Sequence, residues 1–187
     1  PSLQTLPVYQ PGRPIEDVAR ELGLNPDEII KVASNENPLG PSPKAVEAMQ
    51  AAIGQSHLYP DGNAFYLKNK LASKLDVETS NLILGNGSNE IIEFVSHALL
   101  RPEDEIVVSQ YCFAIYPLIA MMMGAKVSAV PAVDYGHDLP AMLDAITPAT
   151  RIVWVANPNN PTGTIAKPDA VRELVNNVPG DVLLVMD

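Results

Sequence analysis

Five short apolar runs, at residues 82–84, 106–108, 126–130, 152–155 and 182–186, constrain this chain more than anything else in it. A strand buried on one face alternates apolar and polar residues, whereas a run without a polar face belongs to a strand covered on both sides. Segments of helix length separate the runs, at 88–100, 114–123, 139–146 and 168–177. Strand and helix in turn specify a mostly parallel sheet with helices on both faces, so the fold class is α/β. The last run ends one residue before Asp187. A parallel strand this apolar needs neighbours and covering helices, so the expectation is the front part of a longer protein.

The first third is organised differently. Pro1, Pro7, Pro11, Gly12 and Pro14 read as an extended arm, because proline fixes φ and offers no N–H. An amphipathic helix is expected over 15–22, stopped by Gly23. Residues 29–33 read as a short strand, and 34–41 as a loop rich in Asn, Pro and Gly. Ser42 followed by Pro43 opens a second helix that Gly54 ends, with Ala45, Val46, Met49 and Ile53 as its apolar stripe. After the loop Tyr59-Pro60-Asp61-Gly62, a third helix carries Phe65, Leu67, Leu71 and Leu75.

Charge and cysteine content narrow the possible functions. Lys and Arg number 12 against 22 Asp and Glu, a net charge of −10, which argues against nucleic acid or a membrane surface as partner. Cys112 is the single cysteine, so a disulfide framework and a Cys-rich metal site are excluded. His57, His97 and His137 are too scattered for a zinc site, and no metal is expected. The apolar stretch 114–124 contains Tyr116 and Pro117 and is too short to span a bilayer. The opening PSLQTLPVYQ lacks the basic and apolar regions of a secretion signal, so a cytoplasmic protein is expected.

Two loops at expected strand ends carry the chemistry. In Gly85-Asn86-Gly87-Ser88-Asn89-Glu90, glycines lie between a strand and a helix, where backbone N–H groups and the helix dipole favour a phosphate. Glu90 stands where a dinucleotide motif has its third glycine, and no Walker lysine is present, so a single phosphate group fits better than NAD or ATP. The second loop, Asn157-Pro158-Asn159-Asn160-Pro161-Thr162-Gly163, follows a strand at the edge where open α/β sheets bind ligands.

With SNENPLGPSP and YPDG upstream, the strings GNGSNE and NPNNPTG make the chain resemble the fold-type I pyridoxal-phosphate aminotransferases. Within that group it is most similar to the histidinol-phosphate aminotransferases, over what is their N-terminal half. The resemblance implies pyridoxal 5'-phosphate as cofactor. It assigns Asn160 to the phenolic oxygen of the pyridoxal ring and Asp187 to its protonated nitrogen, where a carboxylate keeps the ring electron-withdrawing. Ser88 and Asn89 match the phosphate cup, and Glu90 would cap its own helix. Phe113 aligns with the aromatic residue that stacks on the ring, although Tyr111-Cys112 replaces the usual Pro-Thr. Tyr59 matches a tyrosine that reaches the neighbouring subunit's cofactor phosphate, which implies a homodimer. Asn35 and Asn37 fall in the loop lining the substrate side, and Tyr9 in the arm that closes over substrate.

The same resemblance divides the chain into 1–33, belonging to a small domain, and 34–187, the N-terminal portion of the large cofactor-binding domain. In the family the lysine that holds the cofactor covalently lies beyond Asp187, as do the substrate-binding arginines. None of the seven lysines here matches it. The implied reaction moves an amino group from a small-molecule amino donor to a 2-oxo acid. Histidinol phosphate and 2-oxoglutarate, giving imidazole-acetol phosphate and glutamate in histidine biosynthesis, are the first expectation. An aromatic or broad-specificity aminotransferase and a threonine-phosphate decarboxylase share the same motifs. A non-catalytic α/β binding domain would use both loops as turns only.

Overall fold

A computed structural model describes residues 6–9 and 11–187. The rest of the expected arm, residues 1–5 and 10, lies outside the described residues. The chain forms two compact units, one built on Ile83–Asp187 and one spanning Tyr9–Leu82.

The Tyr9–Leu82 unit holds α1 (Ile15–Leu22), α2 (Pro43–Ala52) and α3 (Phe65–Leu75). Gly23 ends α1 with φ 66°, its N–H donating to the Ala19 carbonyl. Pro43 opens α2, which does not stop at Gly54 but tightens into a 3₁₀ turn over Ile53–Gln55. The strand expected over 29–33 is absent. Ile30 and Val32 are 87% and 95% exposed, and among the described residues no strand lies beside them. Apolar residues without a ladder partner stay irregular.

Asp61 caps α3, accepting the N–H groups of Asn63 and Phe65, each at 2.9 Å. Those two bonds favour the ionised form and hold the Asp61 carboxyl below its ordinary value of 3.8. A lowered folded-state value stabilises fully above 3.8, and the stabilisation is lost as pH falls through the folded value. The gap in melting temperature between Asp61→Ala and the parent should therefore be full at neutral pH and shrink in acid. Circular dichroism melts across that range check it; a gap unchanged down to about pH 2 would remove the cap.

The Ile83–Asp187 unit runs α4 (Gly87–Leu99), β1 (Glu105–Ser109), α5 (Ile115–Met122), β2 (Lys126–Val130), α6 (Leu139–Asp144), β3 (Thr150–Val155), α7 (Pro168–Asn177) and β4 (Leu183–Met186). All pairings are parallel, in the order β2-β1-β3-β4. Ile106, Val108, Ile152 and Trp154 point to one face, where they pack with Ile92 of α4 and Ile115, Tyr116 and Ile119 of α5. Val107, Val153 and Val155 point to the other, against Leu139 and Met142 of α6 and Leu174 of α7. Both faces of the central strands are thus buried, as their fully apolar runs require. The run 82–84, expected as a strand, is not one: Ile83 is 70% exposed and none of the four strands pairs with it.

Connectivity creates a crevice. The step from β1 to β2 crosses the sheet one way with α5 on the first face. The steps β2 to β3 and β3 to β4 run the other way, with α6 and α7 on the second face. Reversing direction and face together keeps one hand for every crossover. Neighbours β1 and β3 consequently send their chains to opposite sides, and their carboxyl ends open between two departing loops. At the amino edge the polar groups are already paired. Asp104, buried, meets Arg151 at 3.1 Å, and the Glu105 carboxylate accepts the Thr147 and Thr150 hydroxyls at 3.1 Å. Among the described residues, no helix is long and apolar enough to cross a membrane.

Candidate active site

Asn159 organises the loop after β3. It is 3% exposed, and its Nδ2 donates to the Tyr111 carbonyl at 2.7 Å and to Thr162 Oγ1 at 2.8 Å. Its backbone N–H donates to the Thr164 carbonyl, and its own carbonyl accepts the N–H of Gly163, which sits at φ 71°. One side chain therefore closes the loop on itself and staples it to the loop after β1. Asn157 does a similar job further out, its Oδ1 accepting the Ala166 N–H at 2.9 Å. The peptide bonds Asn157-Pro158 and Asn160-Pro161 are cis. Asn160 is half-buried, and among the described residues no protein group bonds its side chain. Two of the three asparagines build the loop, and the third is left free.

Asp187 follows β4 and continues its ladder: its N–H donates to the Val155 carbonyl at 2.9 Å, and its carbonyl accepts the Asn157 N–H at 3.0 Å. Its carboxylate is exposed and accepts the Tyr116 hydroxyl. Tyr116 is 1% exposed, stacked on Trp154 with ring centroids 4.8 Å apart, and met edge-on by Phe113 at 5.6 Å. Burial, then the hydrogen bond to Asp187, pushes the Tyr116 phenol far above its ordinary value, so it stays a donor at any physiological pH. Burial also pushes the Cys112 thiol up to about 11, which leaves it neutral and unreactive near pH 7.

The first turn of α4 presents Ser88 and Asn89, both exposed. Gly87 takes φ 79°, which favours glycine, and a Cβ on Gly85 would press on the Ile91 and Glu90 side chains at 2.9 and 3.1 Å. Glu90 caps its own helix, accepting the Asn86 N–H at 2.6 Å. Among the described residues the Ser88 and Asn89 N–H groups have no acceptor, as expected for a first turn. Ile92 of α4 packs in one cluster with Ile106 and Val108 of β1, the strand that follows it.

Ser88, Asn89, Phe113, Asn160 and Asp187 all belong to the Ile83–Asp187 unit. Tyr9, Asn35, Asn37 and Tyr59 belong to the other. There, Tyr59 is fully exposed, Tyr9 is 47% exposed, Asn35 takes φ 49°, and Asn37 closes its own turn through the Leu39 N–H and the Gly40 carbonyl. Tyr116 and Asn159 were not among the residues expected at the site. Tyr116 lies three residues after Phe113, and Asn159 in the Asn-Pro-Asn-Asn string itself. Among the described residues no group of His, Cys, Asp and Glu could hold a metal ion.

A model of the aminotransferase class I and II family matches residues 27–187. The chain belongs to that family. Histidinol-phosphate aminotransferase 1 of Nitrosococcus oceani is 49% identical over 185 residues, 99% of this chain and 50% of the relative. The Moorella thermoacetica histidinol-phosphate aminotransferase is 52% identical over 179 residues, 96% of this chain and 46% of its own. Among solved structures, histidinol-phosphate aminotransferase from Sinorhizobium meliloti in complex with pyridoxal-5'-phosphate superposes with a TM-score of 0.83 at 26% identity, covering 99% of this chain and 49% of that one. The chain thus spans about half the length of the curated relatives it matches.

Proposed function

We propose that the chain supplies the cofactor-ring side of a pyridoxal-phosphate-dependent histidinol-phosphate aminotransferase, converting histidinol phosphate and 2-oxoglutarate to imidazole-acetol phosphate and glutamate. The observation that carries this reading is the pair of polar groups with spare hydrogen-bonding capacity at adjacent strand ends, the Asn160 amide after β3 and the Asp187 carboxylate after β4, of which Tyr116 engages one oxygen. Relatives about half identical over the whole chain support the choice of substrate.

The residues present fit the group. Pyridoxal phosphate, when bound, supplies an electron-withdrawing ring that stabilises negative charge on a substrate carbon. Asp187 would hold the proton at the ring nitrogen, because an anion beside a base raises its pKa. Asn160 would donate to the ring oxygen and hold it as an acceptor. The open N–H groups of Ser88 and Asn89 would take the phosphate at the positive end of α4. Phe113 would cover the ring and keep water from one side. In this reading 34–187 is the N-terminal portion of the large domain and 1–33 belongs to the small one. The covalent lysine and the substrate-binding arginines come from sequence beyond this chain, and Asn35, Asn37 and Tyr9 line the substrate side. The protein is a cytoplasmic homodimer.

The test uses the full-length protein. Titration with pyridoxal phosphate should give an absorbance band between the near-ultraviolet and the visible that shifts on adding histidinol phosphate, with glutamate formed from 2-oxoglutarate. A protein that stays colourless overturns the reading; one that binds cofactor but prefers aromatic donors overturns the substrate. Tyr59, fully exposed in its own unit, is assigned to the cofactor phosphate of the second subunit. Tyr59→Phe should weaken cofactor retention by about 1.5–3 kcal/mol, one hydrogen bond to a charged group, measured by equilibrium dialysis. Unchanged affinity would take Tyr59 out of the site.

A further inference from the structure

We propose that Tyr116 is a positioning residue for Asp187: its buried hydroxyl pins one carboxylate oxygen and leaves the second to engage the ring nitrogen of a bound pyridine cofactor. The proposal rests on the functional reading above and concerns a residue to which that reading gives no role.

Asp187 is exposed at a strand end, where an unrestrained carboxylate would sample several rotamers. Tyr116 removes that freedom from below. The tyrosine cannot itself move, since it is 1% exposed, lies parallel to Trp154 with an interplanar angle of 6°, and meets Phe113 at 87°. A phenylalanine would fill the same space between those rings. The hydroxyl is therefore explained by its acceptor, because a buried phenol needs a partner and Asp187, 71 residues away in sequence, is the one it has. The phenol stays protonated near neutral pH, so its role does not alternate between donor and acceptor. Cys112, the other titratable group acting on Tyr116, is also neutral there. A fixed donor on one oxygen sets the direction of the carboxylate. A set direction is what a partner for a protonated ring nitrogen needs.

The experiment is a double-mutant cycle in the full-length protein, with Tyr116→Phe, Asp187→Asn and both together. Cofactor affinity is read by dialysis and ring-nitrogen protonation by the ¹⁵N shift of labelled pyridoxal phosphate. Tyr116→Phe should weaken affinity about ten- to hundredfold and move the nitrogen signal toward the unprotonated form. In the Asp187→Asn background the same change should add little, because the shared interaction is already gone. Additive effects, or an unmoved nitrogen signal, would overturn the proposal while leaving the cofactor reading standing. A parent protein that binds no pyridoxal phosphate would overturn both. A second measurement needs neither cofactor nor a folded Tyr116→Phe variant. With ¹³Cζ-labelled tyrosine, the Tyr116 resonance of the parent should shift on Asp187→Asn, and an unchanged resonance would overturn the proposal.

Discussion

Asp187→Asn in the full-length protein is expected to cut turnover by about 10²–10³-fold with the fold intact, the scale of losing one preorganised electrostatic partner. Asparagine keeps the shape of the side chain, and the backbone bonds of residue 187 to Val155 and Asn157 do not depend on it. What disappears is the negative charge. Without it a pyridine nitrogen reverts toward its neutral form, and the ring withdraws electrons less strongly. Steady-state kcat with a circular dichroism control is the measurement. A folded Asp187→Asn protein with near-parental turnover would mean that this carboxylate does not face the reacting group.

Trp154→Ala is expected to cost about 3–5 kcal/mol of stability, the range for removing a large buried aromatic side chain. Trp154 is 1% exposed near the carboxyl end of β3, joins the cluster that unites α4, α5 and the sheet, and carries the ring on which Tyr116 stacks. Its loss opens a cavity at the inner wall of the crevice. Trp154→Phe should cost distinctly less. It keeps an aromatic surface and removes the indole N–H, which is buried without an acceptor among the described residues. Urea unfolding of the three proteins tests the ordering. An alanine variant within about 1 kcal/mol of the parent would mean that the cluster tolerates its loss by collapse.

Some elements were legible because their signals are local. Lys126–Val130 and Pro168–Asn177 fall where the apolar run and the proline-initiated helix pattern place them, and α1 ends at the glycine that stops it. The runs 29–33 and 82–84 carry comparable local signals yet form no strands. A strand is a property of two segments, and apolar content says nothing about whether a ladder partner lies alongside. The site divides in the same way. Asn160 and Asp187 were singled out by the family resemblance, which the NPNNPTG string carries. That Asn159 would be the buried staple depends on the Tyr111 carbonyl, 48 residues away. The Tyr116 contact depends on a residue 71 positions distant, brought near only when α5 and β4 pack on one sheet. Neither separation has any trace in periodicity or composition.

The two ends of the sheet have unequal mutational freedom. At the amino edge, Asp104, Arg151, Glu105, Thr147 and Thr150 satisfy one another, so their chemistry is spent on holding strands together. At the carboxyl edge, Asn160 and Asp187 retain unused hydrogen-bonding capacity. Selection for thermal endurance and selection on ligand binding at the carboxyl edge would therefore draw on largely separate sets of positions, divided by the length of a strand. A lineage could accumulate stabilising changes at one end and spend the tolerance they provide on altering the other.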